Sequence, residues 1–164
     1  MIIGVTGVAV ALAIGGLAFY GALTISINRT LDNEALANAR DVAAMVNENR
    51  LPSPVPVSGA QVVQVVDEEG RVVGGSVTAD RITPLLRPPE LQRALAGEAV
   101  VVSGVRIGVS EPLRVRAITA GPLAHPVSVI VALPVGDVLA TRTALRNALL
   151  ISYPLLLGGL AAIA

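Results

Sequence analysis

The sequence contains no cysteine, no tryptophan and no lysine. Without cysteine there is no disulfide frame, no thiol nucleophile and no thiolate metal site. Without lysine, all twelve basic side chains are arginines, and twelve Asp and Glu balance them. A neutral chain lacks the basic excess that a nucleic-acid partner requires, so no nucleic acid is expected. Aromatic residues make up 2% of the chain, and Phe19, Tyr20 and Tyr153 all fall in apolar runs. Whatever core lies between those runs must be built from Val, Leu, Ile and Ala. The single histidine, His125, sits in the Gly- and Pro-flanked stretch Gly121–Pro126 and reads as a loop residue. No nucleophile–base pair can be assembled, so no catalytic residue is nominated. The glycines of residues 73–76 and 105–108 lack the spacing of a phosphate-cradling loop.

What is abundant is apolar surface: 53% of the residues are hydrophobic and the mean hydropathy is +0.71. That exceeds an ordinary soluble domain and points to membrane segments. Residues 1–27 carry no charge, and about 20 apolar residues suffice to cross a hydrocarbon core of roughly 30 Å. With neither a basic start nor a cleavage site, this run reads as a retained transmembrane helix and not a signal peptide. Phe19 and Tyr20 suit an aromatic belt near its end. Gly7, Ala11 and Gly15, four apart, form a smooth face for a partner helix, or simply reflect frequent small residues. Residues 144–164 form a second, incomplete apolar run containing Pro154. Arg29, Arg142 and Arg146 flank the middle region, which by the positive-inside rule alone places that middle in the cytoplasm.

Residues 28–143 read as one α+β domain. Leu31, Ala35, Ala39, Val42 and Val46 recur at three and four, widened by Leu36, Ala43 and Met45. They predict a helix continuing from the first span, its stripe either covering a sheet or pairing with a second copy. Pro52, Pro54 and Pro56 are expected to end it. Two β-rich runs, Gln61–Asp67 and Arg71–Ser76, flank a tip in which Gly70 is suited to positive φ. Pro88 and Pro89 at the start and Gly97 at the end mark a short helix. Three further strands follow at Glu98–Ser103, Pro112–Thr119 and Val127–Leu133. The second alternates polar and apolar, and the third, continuous in Val and Ile, reads as central. The expectation is a five-stranded, largely antiparallel sheet with helices on it.

Few residues suggest binding. Arg114 and Arg116 share a strand face and, with Arg106, form a candidate carboxylate-type anion site; a solvated face is the alternative. Asp67, Glu68 and Glu69 are consecutive acids on a hairpin tip, whereas a metal needs ligands converging from several elements. No metal site is therefore expected.

Four stretches carry a resemblance: Val65–Val73, Glu111–Ala117, Val129–Arg146 and Leu149–Leu157. They are similar to the first hairpin, middle strand, last strand with exit helix, and second membrane helix of the N-terminal sensor region of two-component sensor histidine kinases of the actinobacterial kind. The resemblance implies a first membrane helix, an extracytoplasmic PAS-like (PDC or Cache-type) domain, a second membrane helix and, beyond Ala164, a HAMP linker and kinase core. It implies a multi-pass cell-membrane location with the middle outside, against the charge rule. It also implies a homodimer, an unidentified extracytoplasmic ligand and a response regulator as partner. ATP and Mg would belong to the kinase core, with no cofactor in this chain. Signal transmission would run through Arg142 and Arg146 to Pro154, which removes a backbone hydrogen bond and would kink the span; a tolerated membrane proline is the alternative. The input region of a chemoreceptor or diguanylate cyclase, or a stand-alone two-span binding protein, shares this plan.

Overall fold

A computed structural model of the chain describes residues 2–136 and, beyond them, 140, 143, 144, 147 and 151. The chain divides into two compact units. One is Thr30–Gly136; the other joins Met1–Arg29 with Asp137–Ala164. Helix α1 runs from Ile2 to Asn47. The side chains of residues 2–6, 8–10 and 13 lie outside the described set. Among the described residues no helix is long and apolar enough to cross a membrane, so the two expected membrane helices do not come from the described fold. Of the second apolar run only Ala144, Asn147 and Ile151 are described, each helical.

Unit Thr30–Gly136 is α+β. Strands β1 (Val62–Val66) and β2 (Val72–Gly75) form the first hairpin; α2 (Pro88–Leu95) follows. Then come β3 (Val100–Ser103), a 3-10 turn at Gly104–Ile107, β4 (Pro112–Ala120) and β5 (Val127–Pro134). The five strands lie in the order β2-β1-β5-β4-β3, and every adjacent pair is antiparallel. All five strand expectations and the short helix are met to within two residues.

The order puts the first and last strands side by side at the centre. They are the two most continuous Val/Ile runs, and both of their faces are covered. Every residue of β1 is buried, as are Val129 to Leu133 of β5. Removing a Val side chain fully from water stabilises the fold by about 1.5–3 kcal/mol, so these runs drive the sheet to form. Alternate residues feed two separate cores. Val62, Val66, Leu113, Val115, Ala117, Ile130 and Ala132 face α2 and the loop before it, meeting Leu85, Leu86 and Ala94. Val63, Val65, Val129, Val131 and Leu133 face the second half of α1. There Ala35, Ala39, Val42 and Ala43 pack against them, closing on the small side chains of the predicted stripe. The stripe thus covers the sheet: its central alanines are at most 1% exposed, while Leu36 and Met45 at its margin are half-buried.

Helix α1 stops earlier than its prolines dictate. Asn49 takes the left-handed conformation at φ 53°. Arg50 N–H then donates to the Met45 carbonyl at 2.8 Å, and Asn49 N–H to the Val46 carbonyl at 3.0 Å. This paired arrangement satisfies two terminal carbonyls and ends the helix before Pro52 is reached. Gly97, at φ 94°, closes α2 the same way. Its N–H donates to the Ala94 carbonyl and the Glu98 N–H to the Arg93 carbonyl, each at 3.1 Å.

Candidate functional site

The three arginines of the candidate anion site do not converge. Arg106, in the 3-10 turn, grips Glu90 of α2 with two bonds, Nη1–Oε2 at 2.6 Å and Nη2–Oε1 at 3.0 Å. Arg114 lies on the α1 side of the sheet and binds Asp32 of α1 bidentately, Nε–Oδ1 at 2.7 Å and Nη2–Oδ2 at 2.8 Å. Arg116 donates to the Gly97 carbonyl at the end of α2. Each guanidinium therefore already has an internal acceptor. Both bidentate pairs are half-buried, with side-chain exposures between 18% and 29%, where screening is weaker than at the surface.

Glu90 has two roles. Its Oε2 also accepts from the Arg87 N–H at 2.8 Å, holding the first turn of α2. The Arg106 hydrogen bonds keep its carboxyl below the usual carboxylate range; burial opposes this, and the Arg87 N–H adds to it. A carboxyl with a depressed folded pKa contributes stability that is complete above its ordinary value, 4.5 for this group, and is lost as pH falls through the folded value. Acid denaturation of the chain should therefore begin below that pH. Arg106→Gln should reduce the fall in denaturation midpoint between neutral and acid pH; an unaltered fall would remove Glu90 from the account.

The hairpin tip folds as a turn stabilised by its own charges. Gly70 adopts φ 81°. Asp67 accepts from the Arg71 N–H and from Arg71 Nε, both at 2.7 Å, and Glu69 accepts from Arg71 Nη2 at 2.9 Å. Burial raises the Asp67 pKa, but the bonds from Arg71 outweigh that and leave it lowered. Among the described residues no three His, Cys, Asp or Glu are placed to hold a metal ion. His125 is exposed in the β4–β5 turn, where its N–H donates to the Pro122 carbonyl at 3.0 Å.

Gly7, Ala11 and Gly15 lie on α1 and are exposed. A Cβ at Gly7 or Gly15 would meet nothing within 4 Å among the described residues. Arg142, Arg146 and Pro154 lie outside the described residues.

Several residues that the sequence did not single out prove to organise the unit. Gln64 is fully buried and ties the loop after β2 to the sheet. Its Nε2 donates to the carbonyls of Asp80 (2.6 Å) and Thr83 (3.0 Å), and its Oε1 accepts from the Leu85 N–H (2.8 Å). Gln61 links β1 to α1, accepting from Asn38 at 2.7 Å and donating to Glu34 at 2.9 Å. Buried Ser76 accepts from the Val63 N–H at 3.1 Å. A polar residue between valines in a central strand was the available signal for Gln64.

The two ends of this unit meet at the start of β4. Asp32, near its beginning, is held by Arg114. Leu133 and Pro134, near its end, stand opposite Arg114 and Leu113 in the ladder. The Val135 N–H donates to the Pro112 carbonyl at 3.0 Å. Glu111 lies so close to Gly136 that a Cβ there would sit 2.8 Å from its carboxyl. Compared with protein-family models, characterised proteins and solved structures, the chain matches none.

Proposed function

We propose that the chain is the membrane signal-input region of a two-component sensor histidine kinase, with residues 30–136 as a PAS-like (PDC or Cache-type) extracytoplasmic domain. The observation that carries this reading is that the start and end of the folded unit meet at one place. The charge-free residues 1–27 precede that start in the chain and the apolar residues 144–164 follow that end, an order that suits two spans of one bilayer. The antiparallel sheet between a long N-terminal helix and a short second helix supports the PAS-like part. In this reading an extracytoplasmic ligand shifts the balance between two states by its differential affinity for them. The response passes along β5 into the helical residues that follow. ATP, Mg and the response regulator would engage a kinase core beyond Ala164.

Orientation can be tested directly because the chain has no cysteine of its own. Glu68→Cys at the exposed hairpin tip should react with a membrane-impermeant maleimide on intact cells. Labelling seen only after lysis would place the domain in the cytoplasm. The kinase assignment is tested by the reading frame past Ala164, where a HAMP-like helix pair, a His-bearing helix and Gly-rich nucleotide boxes are expected. A stop codon after a short basic tail would instead favour a stand-alone two-span protein.

The proposal includes a homodimer. Because Ala35 and Ala39 are buried against their own sheet, its membrane contact is assigned to the Gly7, Ala11 and Gly15 face. Single cysteines at these three positions should give disulfide-linked dimers on oxidation in membranes, and one at Ala39 should not. The absence of cross-links at all three would exclude that face.

A further inference from the structure

We infer that Glu111–Arg114 is a coupling joint, through which a displacement of α1 at Asp32 reaches Val135 and Gly136, where the chain leaves the unit. Its meaning for signalling rests on the proposed function, but the coupling itself is a property of the folded unit. Arg114 carries both connections. Its side chain holds Asp32, 82 residues away in sequence, by two parallel bonds. A planar fork of this kind resists sliding, because both bonds must break together. Its backbone stands opposite Leu133 in the β4–β5 ladder, so no flexible linker separates the helix contact from the departing strand. Two residues earlier, Pro112 offers a carbonyl to Val135 but has no N–H of its own, a restriction suited to the end of a strand. One residue before that, Glu111 lies against the bare Cα of Gly136, and its carbonyl accepts from the Gly104 N–H at 3.2 Å. Four consecutive residues therefore touch the beginning of the unit, its end and the turn after β3.

The Glu90–Arg106 pair is a natural control. It has the same chemistry and similar exposure, but it joins α2 to the 3-10 turn and reaches neither end of the unit. Amide hydrogen exchange on the full chain in lipid nanodiscs separates the two pairs, because exchange reports local opening. Charge-assisted hydrogen bonds are the stronger kind, so Asp32→Asn should speed exchange in the fragment containing Val135 by about tenfold or more. Arg106→Gln should leave that fragment unchanged and affect α2. The exchanged pair, Asp32→Arg with Arg114→Asp, should return the Val135 fragment towards the original rate. The joint is refuted if Asp32→Asn leaves that fragment unchanged, or if Arg106→Gln speeds it equally, which would reveal a general loss of stability. A charge exchange that stays as fast as Asp32→Asn also counts against it. None of these outcomes depends on membrane orientation, so failure here and failure of the maleimide test are distinguishable.

Discussion

Gln64→Leu should destabilise the folded unit by about 3 kcal/mol, because each buried polar group left without a partner costs about 1–3 kcal/mol. The leucine would fill a similar volume in a site that is 0% exposed, so lost packing contributes little. What is lost is the pairing of three backbone groups, the Leu85 N–H and the carbonyls of Asp80 and Thr83. The loop would then either open to water, uncovering Leu85 and Leu86, or stay closed with polar groups unpaired. For a unit of this size the loss corresponds to a fall in Tm on the order of 15 °C. Thermal unfolding of the full chain in detergent measures it. A fall of only a few degrees would mean that the loop is held mainly by Leu85 and Leu86 in the core beneath it.

Gly104→Ala should cost about 2–3 kcal/mol, the upper part of the range for inserting atoms into a filled interior. A Cβ at this position would collide with the Glu111 carbonyl oxygen and sit 2.8 Å from that of Val109. Both obstacles are backbone, so neither can rotate aside, and the connection from β3 to β4 must move. Gly108 provides the comparison. Its φ is 79° and a Cβ would meet nothing, so alanine there should cost only the left-handed backbone penalty of about 1–2 kcal/mol. Urea midpoints of the two variants at equal m-value should therefore rank Gly104→Ala as the more damaging. The reverse order would show that the turn yields to the methyl group.

Much of the fold was legible because its signals are local. Continuous Val runs marked β1 and β5, and the alternation of Leu113, Val115 and Ala117 with Arg114 and Arg116 marked β4. Pro88, Gly97 and Gly70 fixed a helix start, a helix end and a turn. The end of α1 was misplaced because the prolines were the louder signal, while Asn49, a residue tolerant of the left-handed conformation, closed the helix first. The candidate site was less legible. Arg114 and Arg116 were correctly placed on one strand face, but an arginine does not announce its acceptor, and Asp32 lies in a helix 82 residues away. Gln64 was hidden because a strand with one wet face would carry a polar residue at the same spacing.

By itself the sequence determined the α+β class, the number and bounds of the strands, the aliphatic character of the core and the absence of any thiol chemistry. These follow from composition and from periodicities that extend over a few residues. Only the tertiary structure decided that β1 lies beside β5, that α1 spends its stripe on its own sheet, and that both ends of the unit meet at Glu111–Arg114. Strand partners are chosen by how whole faces fit together, and one Val-rich strand is locally indistinguishable from another. Which pairs meet is therefore settled by the cores they close, Ala35 and Ala39 against one face and Leu85 and Ala94 against the other.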